Sequence, residues 1–425
     1  MGFPPPMDHP MHALTRLVAT TLLASSTAAA ATAVPSPAWV ASWQASPQPV
    51  WNARFLFPTL IPDQLAAQTF RQTVRLSLGG RQLRVRLSNA YGQQPLRIDA
   101  ASAAAGPGRT PLALAFDGRA DVVIGPGEER VSDPLALATR DLQAVQVSVY
   151  VAGRTPLQTF HWDGRQTAAF AAGDQTLAPA LTDAATTTAR LFVSGLDVER
   201  AACARSVAVI GDSITDGATA SLDRDQRWTD HLAARLAPQG VAVVNAGISG
   251  GRLLRDGMGE AALSRFQRDV LDQPGLASVI VLLGTNDIGW PGTAFARTEP
   301  APSLAQLQAG YRSLVARAHA RGVRILGATL PPFAGALPGT PLEDYYQPDK
   351  DALRRQLNAW LRSDSPFDAV IDLDAVLRDP ADPARLAAAF DSGDHLHPGD
   401  AGNHAMAAAV DLQALLPDAV PVCAR

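Results

Sequence analysis

The sequence predicts an α/β domain built on a five-stranded parallel sheet flanked by helices, preceded by an antiparallel β-sandwich of jelly-roll type. Three observations carry this. Beyond residue 205, short apolar runs alternate with amphipathic stretches of helix length, the pattern of a doubly wound sheet. Before residue 195, apolar and polar residues alternate within short segments, as in strands with one buried face. Gly and Pro punctuate those segments throughout, which favours many short strands and turns.

The chain opens on a leader-like stretch. Arg16 precedes the apolar run Leu17–Leu23, and Ala24–Ala33 is rich in Ala, Ser and Thr and ends in Ala31-Thr32-Ala33. The apolar core is too short to span a bilayer, so residues 1–33 read as a secretory signal peptide. Export to the periplasm or the medium is therefore expected, with no membrane insertion. What remains favours two domains, a β-sandwich over 34–198 and a second domain over 199–425. Of all 425 residues, 47% are hydrophobic and 18% charged, with a formal net charge of −4. That balance gives no reason to expect nucleic acid as a partner, and it sets no oligomeric state. The two cysteines, Cys203 and Cys423, are expected to form a disulfide in an exported chain.

In the first domain, Val74, Leu76 and Leu78 alternate with Arg75 and Ser77, and Leu83, Val85 and Leu87 alternate with Arg84 and Arg86. Gly79-Gly80 lies between, so a β-hairpin with a short glycine turn is expected. Further strands are expected at 96–100, 120–124, 145–151, 159–162, 167–170 and 190–193, with a loop over 182–189. Trp39, Trp43, Trp51, Tyr91, His161 and Trp162 are candidates for a sugar-stacking platform, or for core and inter-domain packing. Arg165 and His161 are candidates to lean over a neighbouring site.

In the second domain, strands are expected at 207–210, 241–244, 279–283, 323–328 and 369–373. Helices are expected at 228–237, 260–271, 304–321 and 349–361, with an alanine-rich helical stretch over 401–415. Leu304, Leu307, Tyr311, Leu314 and Ala318 recur at helical spacing.

The chemistry-bearing residues lie at the ends of these strands, where open α/β sheets place their sites. Gly211-Asp212-Ser213-Ile214-Thr215-Asp216-Gly217 follows the first strand. Asn245-Ala246-Gly247-Ile248-Ser249-Gly250-Gly251 follows the second, and Gly284-Thr285-Asn286-Asp287 the third. Asp394-His395-Leu396-His397-Pro398 closes the series near the C-terminus. Asp394 and His397 are three apart, so a single turn can set the carboxylate against the imidazole. A serine hydrolase needs such a base, a group that orients it, and donors for the oxyanion.

These four blocks resemble those of the SGNH (GDSL-type) serine hydrolase family, over about residues 206–416. The sequence has GDSI where the family name has GDSL, a change at an apolar packing position. The resemblance implies Ser213 as nucleophile, His397 as base and Asp394 as its orienting acid. It implies an oxyanion hole made by the backbone N–H of Ser213, the backbone N–H of Gly250 and the side chain of Asn286. No cofactor and no metal are implied. An attached β-sandwich, with the run Gly250–Gly257, is similar to the extracytoplasmic, xylan-associated branch of carbohydrate esterases. The substrate is then an acylated small molecule or polysaccharide, chiefly an acetyl ester of a plant cell-wall glycan. Two other readings stand beside it. One is a general carboxylesterase, lipase or arylesterase without sugar preference; the other is a glycan-binding protein acting through its sandwich.

Some neighbours have blander readings. Asp212 and Asp287 are expected to bond loop backbone, and Thr215 and Asp216 to cap the turn after Ser213. Gly247-Ile248-Ser249-Gly250-Gly251 also matches the G-x-S-x-G nucleophile elbow, which would make Ser249 the nucleophile. His395 and His397, with Asp394, Asp400 and His404 nearby, could instead hold a metal, although such sites usually draw ligands from several segments. His404 is expected on a helix surface or as a packing histidine, and His231 and His319 are expected to be solvated on helix-like runs. The stretch 331–346 is expected to line the substrate cleft.

Overall fold

The computed structural model describes residues 1–5, 37–52 and 54–416. The leader-like stretch and Cys423, and with it the expected disulfide, fall outside those residues.

Two antiparallel sheets face each other in the N-terminal half. The four-stranded sheet runs in the order β1 (Pro37–Gln44), β10 (Val193–Ala201), β3 (Leu83–Ser88), β6 (Glu129–Val131). The six-stranded sheet runs β9 (Ala185–Thr187), β8 (Ala168–Ala172), β2 (Gln68–Arg75), β7 (Ala144–Val151), β4 (Ala100–Ala104), β5 (Leu112–Ala113). In β7, Val145, Val147, Val149 and Val151 all enter the sandwich core. That is the period-two pattern of a strand with one buried face. The expected loop over 182–189 contains the edge strand β9.

One expectation from the sequence is corrected. The segments around Gly79-Gly80 are not a hairpin: β2 pairs with β7 and β8, whereas β3 pairs with β10 and β6. The alternation is right, since Val74, Leu76, Leu78, Leu83, Val85 and Leu87 are all fully buried. They reach one core from opposite sheets. The crossing is tied down at Ser42, whose Oγ accepts from Leu78 N at 2.9 Å and donates to Leu78 O at 2.6 Å. The glycines permit close backbone approach. A Cβ would lie 2.2 Å from the Thr139 carbonyl at Gly79 and 2.7 Å from the Glu199 carbonyl at Gly80.

The C-terminal half is a five-stranded parallel sheet in the order β12 (Val241–Gly247), β11 (Arg205–Gly211), β13 (Leu276–Leu282), β14 (Arg324–Ala328), β15 (Ala369–Ile371). Val207, Ala208, Val209 and Ile210 are consecutively buried, because helices cover both faces of such a sheet. α2 (Trp228–Leu236) packs with α8 (Asp400–Ala408). α3 (Ala262–Phe266), α5 (Leu304–His319) and α6 (Pro348–Asp364) pack together in a second row, with the short α4 (Thr285–Gly289) against α6, while the short α7 (Leu373–Leu377) meets α8. In this strand order the chain leaves β11 in one direction and returns past it to β13, so the right-handed rule for parallel connections puts α2 on one face and the later crossover helices on the other. Ser303 starts α5 with a reciprocal capping box to Gln306.

The two halves share one compact unit, and β1 lies between their cores. Val40 belongs to the sandwich core and its neighbour Ala41 to the core of the parallel sheet. Ala41 N donates to Pro274 O at 2.9 Å. Ser77 Oγ donates to Val243 O at 2.6 Å, so the sandwich covers the edge strand β12, which would otherwise offer unpaired backbone groups.

Candidate active site

The carboxyl end of β11 delivers Ser213 as the first residue of a four-residue helix, α1 (Ser213–Asp216). Asp212 caps it, accepting from Ile214 N at 3.0 Å. Gly217, at φ 101°, closes it in the left-handed region. The turn must be tight at its start, since a Cβ on Gly211 would lie 2.1 Å from Thr215 Oγ1.

His397 and Asp394 arrive on the loop before α8. His397 Nδ1 donates to Asp394 Oδ2 at 2.6 Å, and the Ser213 hydroxyl donates to His397 Nε2 at 2.8 Å. Asp394 Oδ1 also accepts from Leu396 N at 2.9 Å and His397 N at 2.8 Å. Partial burial raises the Asp394 carboxyl, but the bonds and charge of His397 outweigh it and hold the group well below the ordinary carboxylate range. Asn403 of α8 fixes the loop, donating from Nδ2 to Pro398 O and Gly399 O and accepting from Trp228 N.

Two further loops complete the floor. After β12, Gly250 takes φ 72°; a Cβ there would lie 2.5 Å from Met258 Sδ and 2.9 Å from Trp290 Cζ2. Only glycine fits both constraints. After β13, Asn286 donates from Nδ2 to Gly251 O at 3.0 Å and accepts at Oδ1 from the Tyr345 hydroxyl at 2.8 Å. Tyr345 thus orients the amide. It comes from the stretch 331–346, which reaches this floor again through Leu337 N, a donor to Asp394 O at 2.8 Å.

The other predicted neighbours divide. Asp287 accepts from Leu253 N at 2.7 Å and Leu254 N at 2.9 Å, so it braces the loop that carries Gly250. Asp216 does not cap its own turn: Oδ2 accepts from Ser249 N and Oγ, and Oδ1 faces His161 Nε2. Ser249 therefore donates to a carboxylate and has no imidazole, which leaves the elbow motif without a base. The histidines and acids of the metal reading diverge. His395 bonds Asp391 at 2.5 Å, Asp400 accepts from Ser221, and His404 stacks edge-on against His231.

The sandwich aromatics pack. Trp43 is buried, Trp39 lies under the Arg84 guanidinium, and Tyr91 donates to Glu260. Trp51 and Trp162 join Phe55, Phe57 and Phe295 in a half-buried cluster. Arg165 reaches the turn after α1, donating from Nε to Ala220 O. Arg265 had no signal in the sequence. It is fully buried and donates to Ala246 O and Gly211 O, joining the ends of the strands that precede Gly250 and Ser213.

Burial pushes the Asp212 carboxyl up to about 7, against the pull of the Ile214 N–H and of His397. A carboxyl raised in the fold stabilises fully below its unfolded range and loses that contribution as pH rises through the folded value. Asp212→Asn keeps the capping oxygen and removes the titration. Calorimetry should show its Tm above wild type at about pH 8 but not at about pH 4; an offset independent of pH would refute the assignment.

Residues 209–405 match the model of the GDSL-like Lipase/Acylhydrolase family. No curated protein matches the chain. Among the solved structures similar to it over about half its length are three. A member of the lipolytic protein G-D-S-L family from Veillonella parvula DSM 2008 shares 18% identity, covering 48% of this chain and 96% of that one, with a TM-score of 0.34. A GDSL-like lipase from Bacteroides thetaiotaomicron VPI-5482 shares 19%, covering 51% and 87%, with a TM-score of 0.36. A mutant of an acetyl-xylooligosaccharide esterase from Geobacillus Stearmophilus shares 23%, covering 48% and 91%, with a TM-score of 0.34.

Proposed function

We propose, from the premise that residues 209–405 form a domain of the GDSL-like lipase/acylhydrolase family of carboxylic ester hydrolases, that this protein is a serine esterase working through Ser213, His397 and Asp394. The observation that carries the reading is the unbroken chain Asp394–His397–Ser213, at 2.6 and 2.8 Å. His397 takes the hydroxyl proton as Ser213 Oγ bonds to the ester carbonyl carbon. It then returns that proton to the departing alcohol. Water, activated by the same imidazole, releases the acid from the acyl-enzyme. The backbone N–H groups of Ser213 and Gly250 and the Asn286 amide supply the oxyanion donors.

The preferred substrate is a small acyl ester, chiefly acetyl, on a plant cell-wall polysaccharide, met outside the cytoplasm. Support comes from the polar rim beside His397. There the His395 side chain is 39% exposed and held by Asp391, a group suited to hydroxyl-rich alcohols. A second reading, a carboxylesterase without sugar preference, draws on the half-buried cluster of Phe55, Phe57 and Phe295. It continues through Trp290, which backs Gly250.

Acetate release from acetylated xylan, measured beside hydrolysis of p-nitrophenyl acetate and butyrate, separates the two. Deacetylation of the glycan with acetate preferred over butyrate is the expected result. Cleavage of aryl esters alone, rising with chain length, would overturn the glycan reading and leave the mechanism standing.

A further inference from the structure

His161 belongs to the sandwich, in a short strand, Thr159–His161, that pairs with Gln48–Pro49 and Arg190–Leu191. Its ring points out of that domain. Nδ1 lies 3.0 Å from Ser46 O, and Nε2 lies 2.9 Å from Asp216 Oδ1, on the helix that begins at Ser213. The other oxygen of Asp216 accepts from Ser249 N at 2.9 Å and Ser249 Oγ at 2.7 Å. Ser249 immediately precedes Gly250. The whole chain is dry: His161 is 5% exposed, Asp216 2% and Ser249 4%.

Both partners of the imidazole are oxygen atoms, and an imidazolium facing the Asp216 carboxylate gives each of them a donor. Burial opposes that charge, but Asp216 and the Ser46 carbonyl outweigh it and raise the group, with Arg190 acting against them. Arg227, a cation that also feels the charge of Asp216, is engaged by Asp230. A buried ion pair adds little net stability over an apolar replacement. What it does provide is a fixed geometry, here for one short loop.

The same loop is held from a second side. Gln48, also from the sandwich, donates from Nε2 to Met258 O at 2.8 Å, and Met258 Sδ is the atom nearest a Cβ built on Gly250.

We infer that His161 is a positioning residue for ester hydrolysis: acting through Asp216 and Ser249, it fixes the backbone N–H of Gly250 where the ester oxygen becomes charged. The inference rests on the serine-esterase reading. It makes the sandwich part of the catalytic apparatus, reached from a residue that never touches substrate.

The test uses the full chain with p-nitrophenyl acetate, and reaction with a phosphonate ester to count reactive Ser213. His161→Ala should lower kcat per titrated site by about 10- to 100-fold, the penalty of a donor displaced by a fraction of an ångström to an ångström, while KM stays near wild type. His161→Gln keeps one donor to Asp216 and should fall between the two. Wild-type kcat should decline on the alkaline side as the imidazolium loses its proton, and His161→Gln should lack that limb. Ser249→Ala combined with His161→Ala should cost less than the product of the single losses, because both act on one loop.

Wild-type kcat per site in either His161 variant overturns the inference, as does a deficit explained wholly by fewer reactive sites. If His161→Ala does not fold, His161→Gln decides by the same criteria. Ser213→Ala runs alongside. Activity near wild type there would sink the esterase reading itself, whereas a Ser213→Ala reduced to its residual rate beside an unimpaired His161→Ala sinks only this inference.

Discussion

Ser213→Ala is expected to lower kcat on p-nitrophenyl acetate by about 10⁶-fold, the loss typical when a triad nucleophile is removed. The hydroxyl is the group within 2.8 Å of His397 Nε2. Without it the imidazole has no proton to take and no acyl-enzyme forms. The proposed oxyanion donors and the Asp394–His397 pair remain, so a residual acceleration of about 10³–10⁴ over water should persist. KM should change little, since the methyl group replaces an atom that contributes to the transition state more than to binding. Ser249→Ala is the control. It removes one of the two donors to Asp216 Oδ2 and leaves the Ser249 N–H bond in place, so its loss should be far smaller. A dead Ser249→Ala beside an active Ser213→Ala would reverse the assignment.

Asp394→Asn is expected to lower kcat by about 10⁴-fold at neutral pH through the wrong tautomer. Asparagine can keep an oxygen toward the N–H groups of Leu396 and His397, where Oδ1 now sits. Its amide nitrogen then faces His397 Nδ1 as a donor. The ring must accept there, which moves its hydrogen to Nε2 and points it at Ser213, so the base is blocked. The native carboxyl is held below its ordinary range. A depressed carboxyl contributes stability above its unfolded pKa, and that contribution is lost as pH falls toward the folded value. The variant should therefore show a weaker acid-side decline in Tm than wild type. A kcat within tenfold of wild type would remove Asp394 from the mechanism.

Much of this architecture is legible locally. The run Val207–Ile210 reads as a strand because a sheet covered on both faces needs unbroken apolar sequence, and β7 reads from its alternating valines. Pairing partners are not local. The residues around Gly79-Gly80 carry the alternation of a hairpin, and only the close approaches to Thr139 and Glu199 show why glycine is needed there. The proximity of Asp394 and His397 follows from their spacing. Asp216 was expected to cap its turn because acidic residues commonly do so; its partners lie 33 and 55 positions away. The stretch 331–346 was legible as cleft lining, but neither the bond from Tyr345 to the Asn286 amide nor the place of Arg265 was, since a buried hydroxyl on an amide, or a guanidinium joining two strand ends, leaves no periodicity.

The placement of β1 bears on how the molecule is made. Its register sets Pro37 opposite Ala201 and Gln44 opposite Gly195. During synthesis, β1 must wait for nearly the whole sandwich to be delivered before it finds its neighbour. Contacts so distant in sequence form slowly, and an unmatched strand is open to foreign chains in the interval. The sandwich then presents Gln48 and His161 before the loops they grip exist. His397 follows Ser213 by 184 positions, so a chain that stops between them would hold the serine without the base proposed for it. On the serine-esterase reading, hydrolysis then waits until residue 397 has been made, long after Ser213 is in place.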